Sequence, residues 1–220
     1  MLISMDIKAV IFDLDGTLYD KSGIAFKLFL SSPLDIFKLL AEQKTRKQLS
    51  GQDFADAESL NAEFYTRLSK KTGISESKII SWYSESYMEK LVQVLKKNYK
   101  IKDGFDLVVK RLFSKKIKTA IYSDYPLIQR RLEAIGMSWN TISMFNGLYS
   151  SHELGAFKPA PRVFLDIASK LGVLPMECLV IADSDSTDGE AARQAGMEFF
   201  LFSEKSELEE LNSCLTNYNL

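Results

Sequence analysis

The ten residues 9–18, Ala-Val-Ile-Phe-Asp-Leu-Asp-Gly-Thr-Leu, leave little freedom for the fold around them. Residues 9–12 are a short apolar run containing the β-branched Val10 and Ile11. Such a run predicts a strand buried on both faces. It stops at two carboxylates, Asp13 and Asp15, followed by Gly16. Unpaired buried charge is costly, so acids at the tip of a buried strand need a reason. In an open parallel α/β sheet, ligands bind at the carboxyl ends of the strands. Asp13 and Asp15 are two apart and would share a face in a regular strand. Two like charges that close need a cation or a shared proton. Gly16 lets the chain turn at once. Taken alone, these residues also suit a strand that ends in a polar turn, since Asp and Gly are ordinary turn residues.

After Leu18 the pattern becomes helical. Phe26, Phe29 and Leu30 recur at helical spacing, and Pro33 suits a helix start before Ile36, Phe37, Leu39 and Leu40. Further helices are predicted over 53–71, 75–86 and 87–98, with Thr72-Gly73 a stop. No strand candidate interrupts them. A helical insertion of this length, placed directly after a strand tip, predicts a second small domain over 20–100 that stands above the tip. Its aromatic helices suit that domain's own core, or alternatively a hydrophobic partner surface.

From Lys102 the pattern alternates. A helix is predicted over 105–115, a strand over 118–122 ending in Ser123-Asp124, and a helix over 126–135. A strand near 145–150 and a loop over 155–159 precede a helix over 161–171. A third apolar run, 178–182, ends in Asp183-Ser184-Asp185-Ser186-Thr187-Asp188-Gly189. An Ala-rich helix stopped by Gly196, a strand over 198–202 and an amphipathic helix close the chain. Alternation of this kind predicts an α/β fold with a doubly wound parallel sheet. Residues 1–19 and 101–220 form that core domain.

Of the 220 residues, 46% are hydrophobic and 26% charged, as in a soluble globular chain. A net charge of −1 gives no general affinity for nucleic acid or an anionic membrane. Residues 20–100 hold 14 Lys and Arg against 10 Asp and Glu, and the rest of the chain is acidic. This asymmetry suits a solvated surface, or a field that draws an anionic substrate. Cys178 and Cys214 make neither a disulfide framework nor a zinc site and read as reduced thiols of a cytoplasmic protein. No signal-peptide pattern is visible, Met5 is a candidate start with 1–4 a frayed extension, and Lys27, Pro33, Asp35 and Lys38 break up the apolar stretch 24–40 as a membrane span. Monomer and homodimer are both open.

Four polar clusters thus fall where such a sheet binds ligands: Asp13 with Asp15, Ser123 with Asp124, Lys158, and Asp183 with Asp185 and Asp188. Clustered carboxylates favour a hard cation, and Mg²⁺ takes one or two carboxylates plus substrate phosphate. Lys158 supplies a point charge suited to phosphate, and Ser123 a hydrogen bond to a phosphoryl oxygen. The assembly fits phosphoryl transfer, which is mostly positioning and charge neutralisation. A carboxylate can itself be the nucleophile.

These motifs, in this order, make the chain resemble the haloacid dehalogenase superfamily in its phosphatase branch. They are Asp13-Leu14-Asp15-Gly16-Thr17, Ser123 after a strand, Lys158-Pro159, and Asp183 with Asp188 five residues on. The resemblance covers residues 8–19 and 101–202; the insertion matches only in position and helical character. It implies a Rossmann-like core with a mobile helical cap that sets specificity. It implies that Asp13 attacks phosphorus and that Asp15 protonates the leaving oxygen, then deprotonates water. Ser123 and Lys158 would hold the phosphoryl oxygens, with Thr17 and Asp124 on the substrate side. Mg²⁺ would sit on the Asp13 side chain, the Asp15 carbonyl and Asp183, with Asp188 close by or acting through water. Ala182 stands where Gly often precedes the metal Asp, and Asp124 where Asn is common, which adds negative charge beside the phosphate loop. The dehalogenases lack the second acid, so Asp15 speaks against dehalogenation, and Thr17 follows the phosphatase form.

The expectation is therefore a Mg²⁺-dependent phosphatase acting on a small phosphorylated metabolite through an aspartyl-phosphate. A phosphomutase uses the same first motifs. A non-enzymatic cation-binding or regulatory protein is the reading from another class, because residues 183–189 loosely match a calcium loop. There Gly falls at position seven rather than six, and Gln194 stands at position twelve. Asp185 reads as a ligand or a surface acid. His152, the one histidine, reads as a substrate contact or an incidental loop residue.

Overall fold

In the computed structural model, which describes residues 6–203 and 205–220, β1 (Ala9–Asp13) is the middle strand of a five-stranded sheet. The candidate start at Met5 lies outside the described residues. The other strands are β2 (Lys118–Ser123), β3 (Gly147–Ser150), β4 (Cys178–Ala182) and β5 (Glu198–Leu201). Their order is β3-β2-β1-β4-β5, and every neighbouring pair is parallel. The α/β class with a doubly wound sheet is as expected.

Alternation along the strands builds the two sides. Val10 and Phe12 of β1, Ile121 of β2 and Leu179 and Ile181 of β4 enter one buried cluster. Ala9 and Ile11, Ala120 and Tyr122, and Cys178 and Val180 enter the other. Successive side chains of a strand point to opposite faces, so runs apolar throughout are covered on both. The first face is covered by α6 (Phe105–Ser114), α7 (Ile128–Ala134) and α12 (Leu208–Asn217), with Phe105 edge-on to Phe12 at 5.1 Å. The second is covered by α10 (Arg162–Leu171) and α11 (Glu190–Gln194). Cys178 and Cys214 are buried free thiols. Among the described residues no helix is long and apolar enough to cross a membrane.

Between β1 and α6 the chain is helical: α1 (Ile24–Ser31), α2 (Ile36–Leu49), α3 (Ala57–Thr72), α4 (Glu76–Ser81) and α5 (Met88–Asn98). The ends of α3 are local chemistry. The Asp56 carboxylate accepts from the Ser59 N–H at 2.7 Å, and Gly73 closes the helix at φ 69°. Leu60, Phe64 and Leu68, four apart, form its buried stripe. The sequence pattern predicts a break at 86–87, but α4 runs into α5 through a wide π-helical turn, Trp82–Tyr87. In a π turn residues five apart hydrogen-bond and stack, and the Trp82 and Tyr87 rings lie parallel at 5.3 Å. The buried cluster on the first face of the sheet continues without interruption into these helices.

Polar contacts join this segment to the sheet side. They gather about one short element, α9 (Ser151–Leu154), while α8 (Trp139–Ile142) takes no part in them. The His152 ring meets Asn61 Oδ1 at 2.5 Å through Nδ1 and the Tyr83 hydroxyl at 3.2 Å through Nε2. Phe64 and Phe157 stand edge-on to it. Arg46, ion-paired with the fully buried Glu42 at 2.6 Å, donates to the Asp124 carbonyl at 2.9 Å and to the Tyr83 hydroxyl at 2.9 Å. Gly155 has φ 79°, and a Cβ there would fall 2.5 Å from the Asp56 carbonyl oxygen. His152 is thus an interface residue, neither an incidental loop histidine nor beside the acids.

Burial, and then the charge of Arg46, push the His152 imidazole well below its ordinary 6.5. The folded protein holds it neutral, so below pH 6.5 the unfolded chain takes up a proton that the folded chain refuses. Stability should fall as pH drops from 6.5. Urea unfolding at pH ~7.5 and ~5.5 should show wild type losing about 1 kcal/mol more than His152→Gln over that interval.

Candidate active site

The sheet register sets Asp13 beside Tyr122 of β2 and Phe12 beside Ile181 of β4. The strand ends therefore lie level, and they bring Asp13, Ser123 and Asp183 to one edge. Asp13 is 4% exposed. Its Oδ2 accepts from the Thr17 hydroxyl at 2.9 Å, and its Oδ1 from the Lys158 ammonium at 2.6 Å. Lys158 also donates to Asp188 Oδ1 at 2.6 Å. Asp188 turns inward because residues Asp185–Gly189 form a π turn, with the Gly189 N–H donating back to the Ser184 carbonyl at 3.1 Å. The Thr187 hydroxyl holds its second oxygen at 2.9 Å. The Ala-rich helix is correspondingly shorter than its sequence pattern.

The Lys158 loop, whose Lys158-Pro159 peptide is cis, is tied down from two sides. The Ser50 hydroxyl and the Gly51 N–H donate to the Lys158 carbonyl at 2.8 and 3.2 Å. The Lys158 N–H donates to Asp124 Oδ1 at 3.4 Å, and that oxygen also accepts from the Ser151 hydroxyl. The Asp124 carboxylate is therefore engaged by the loop that carries Lys158. Burial would lower the Lys158 ammonium, but Asp13 and Asp188 hold it well above its ordinary 10.5. Burial raises the Asp13 carboxyl, Lys158 opposes, and Asp188, Asp15 and Asp183 add to the rise.

The Asp15 carboxylate takes partners other than those of Asp13. β1 ends at Asp13, Gly16 opens a turn at φ 91°, and Asp15, bridged to Tyr19 across that turn, has partners of its own. It accepts from the Tyr19 hydroxyl at 2.5 Å, from the Ser123 hydroxyl at 2.8 Å and from the Arg131 guanidinium. Each carboxylate is ion-paired with a different side chain, Asp13 with Lys158 and Asp15 with Arg131. Burial would raise Asp15, but the charge of Arg131 and hydrogen bonds from Arg131, Tyr19 and Ser123 hold it at about 2. Arg131 is fully buried and also donates to Ser123 Oγ at 3.0 Å and the Tyr125 carbonyl at 3.1 Å. Sequence reasoning missed it. The available signal is a charge in a helical apolar stripe, with Ile128, Leu132 and Ile135 at its sides. Helix α7 starts two residues later than expected, because Tyr125, Pro126 and Leu127 make a turn with Leu127 at φ 58°.

Asp183 pairs with Lys21 at 2.5 Å, and the same ammonium donates to the Asp15 carbonyl at 3.0 Å. Among the described residues no three His, Cys, Asp or Glu side chains form a metal cluster. A site of two carboxylates and a backbone carbonyl lies outside that pattern. Those oxygens fit a hard cation; here the Asp183 carboxylate and the Asp15 carbonyl receive the Lys21 ammonium, and Asp13 receives that of Lys158. Asp185 faces Arg193 at 2.8 Å on the surface, away from these groups. A cavity of about 250 Å³ adjoins Lys158, lined among others by Gln43, Arg46, Lys47, Ser50 and Asp124.

The sequence profile of haloacid dehalogenase-like hydrolases matches residues 7–196. The chain belongs to that family. A hexitol phosphatase B of Escherichia coli is 24% identical over 178 residues, which cover 81% of this chain and 76% of that protein. Two solved structures share the fold of this haloacid dehalogenase-like hydrolase. A β-phosphoglucomutase from Clostridium difficile is 22% identical at TM-score 0.60 and covers 97% of each chain. A Bacillus subtilis hydrolase of the family, bound to magnesium, is 17% identical at TM-score 0.62, covering 96% of this chain and 99% of that one. The family agrees with the one that the motifs pointed to, and the phosphatase relative agrees with a phosphoric monoester hydrolase.

The Asp15–Arg131 pair can be weighed in this hydrolase. Removing one partner of a buried ion pair costs about 3–5 kcal/mol. Asp15 keeps a 23% exposed side chain, so the cost is set lower. Arg131→Met should destabilise by about 2–3 kcal/mol in chemical denaturation, and adding Asp15→Asn should recover most of it. An additive double variant would mean that the two groups are not coupled.

Proposed function

We propose that the protein is a Mg²⁺-dependent phosphatase that transfers the phosphoryl group of a small phosphorylated metabolite to Asp13. The observation that carries this reading is Asp13 itself. It is a buried carboxylate at the tip of the central strand, pinned by Thr17 and Lys158 and level with Ser123 and Asp183. Pinning fixes an attacking oxygen, and positioning is most of what phosphoryl transfer asks of a protein. As the bond from an Asp13 oxygen to phosphorus forms, the bond to the leaving oxygen breaks. Lys158 stays cationic and, with the Ser123 hydroxyl, meets the charge on the phosphoryl oxygens. Water then attacks phosphorus, frees phosphate and restores Asp13.

Asp15 is the acid-base group of this reading. Held ionised at about 2 by Arg131 and its other donors, it is ready to take a proton from water. To give one to a leaving alkoxide it must first leave Arg131 and gain a proton. The Asp13 and Asp183 carboxylates and the Asp15 carbonyl would hold Mg²⁺, whose chemistry here is to neutralise the transferred phosphoryl group. Asp188, bonded to Lys158, acts on that site through Lys158 or through water.

Residues 20–100 act in this reading as a cap. The magnesium-bound Bacillus subtilis structure reveals interdomain movement in that protein. The cavity beside Lys158 has room for a small polar metabolite, and the hexitol phosphatase relative favours a phosphorylated polyol or sugar. Release of phosphate, with no isomerised sugar phosphate, separates this reading from a phosphomutase.

Protein stripped with excess chelator should lose turnover and regain it with Mg²⁺; full activity in chelator would remove the metal from the reaction. The acid-base assignment has a sharper test in rapid-quench kinetics. Asp13→Asn should turn over nothing. Asp15→Asn with nitrophenyl phosphate should release up to one nitrophenolate per site and stall, because that leaving group needs no proton while the water still does. With an alkyl phosphate it should give neither burst nor turnover, in keeping with the ~10²–10⁴-fold typical of general acid-base catalysis. Steady turnover by Asp15→Asn, or a burst from Asp13→Asn, would mean that the roles are misassigned.

A further inference from the structure

The chain leaves the turn after β1 through Lys21, whose side chain reaches back to the sheet edge. Its ammonium donates to Asp183 Oδ2 at 2.5 Å and to the Asp15 carbonyl at 3.0 Å, and the Asp13 charge acts on it as well. These are the three groups to which the proposed function assigns the divalent cation. The position is shaped for a cation. A Cβ on Gly16 would fall 2.2 Å from Asp183 Oδ2 and 2.8 Å from Lys21 Nζ, so the bare turn is what leaves room there. The neighbouring charges are otherwise matched. Asp15 has Arg131, and Asp13 and Asp188 divide Lys158. Asp183 has Lys21. The Lys21 side chain is 42% exposed, so its flexible stem has a way out to solvent.

We propose that Lys21 is an internal counter-cation that occupies the divalent-metal position and sets the affinity for the metal. This rests on the metal reading above. Mg²⁺ requires near-ideal octahedral oxygen geometry at about 2.0–2.1 Å. An ammonium bonded to two of those groups, the Asp183 carboxylate and the Asp15 carbonyl, stands in the way of the ion, which binds as Lys21 swings away. Lys21 thereby keeps Asp183 paired when no metal is bound, and weakens metal binding by the fraction of time that it fills the site.

Isothermal titration of Mg²⁺ into chelator-treated wild type, Lys21→Met and Asp183→Asn tests this, with Lys21→Gln as a second neutral variant. If the ammonium vacates the site for a tenth of the time, both neutral variants should bind Mg²⁺ about tenfold more tightly than wild type. The gain should persist at high salt, where the effect of a merely nearby exposed charge is screened. Melting should show the complementary sign: metal-free Lys21→Met melts below wild type, and saturating Mg²⁺ raises it by more. Unchanged or weaker affinity in both neutral variants, or a gain that vanishes with salt, overturns the proposal. Loss of Mg²⁺ binding in Asp183→Asn alongside such a result would leave the metal reading standing and remove Lys21 alone. Wild-type binding by Asp183→Asn would remove the metal reading, and this proposal with it.

Discussion

A carboxylate buried at the end of a central strand can stay only if a cation is brought to it, and the Asp13–Lys158 contact answers that need. Much of the surrounding structure serves this contact. Asp188 takes the other side of the ammonium, and the π turn of Asp185–Gly189 exists where Asp188 must point inward. Asp124 and Ser151 hold the loop from the sheet side, and Ser50 and Gly51 hold it from the helical side. A triad of two acids and one base, closed off from water, is rigid because any displacement leaves a charge without its partner. A nucleophile needs that same rigidity.

The layers of the fold are legible because they follow from hydrophobic period. The run 178–182 reads as a strand and is one, end to end. β1 extends one residue further than its apolar letters, to Asp13, since the pairing with β2 continues past Phe12. What escapes the pattern are the wide turns. The Trp82–Tyr87 turn lies within a stretch of helical spacing, and Asp185–Gly189 lies in a polar stretch with no apolar period to read. The first brings the Trp82 and Tyr87 rings at its own two ends into a stack, and the second turns an acid toward the distant Lys158.

The acids of the site can be found because a charge on an apolar strand is conspicuous. The cations are harder. Lys158 stands out through the loop around it, whereas Lys21 stands among ordinary polar residues. Arg131 gives a faint sign by lying on the apolar stripe of α7, where a charged residue must find a partner inside. Asp13 is the last residue of β1 and pairs with Lys158, whereas Asp15 lies beyond the strand and pairs with Arg131, and this gives two chemically alike side chains opposite protonation tendencies.

The buried cluster that passes from the sheet into the helices has a meaning for how such proteins diversify. A helical segment with a core of its own could be exchanged between relatives as a cassette. Here Phe64 packs on Phe157 and His152, and the Asp56 carbonyl lies where a Cβ on Gly155 would be. A transplanted segment would meet a surface cut to fit another. Exchange of the whole segment would therefore call for compensating changes on the sheet side of this contact.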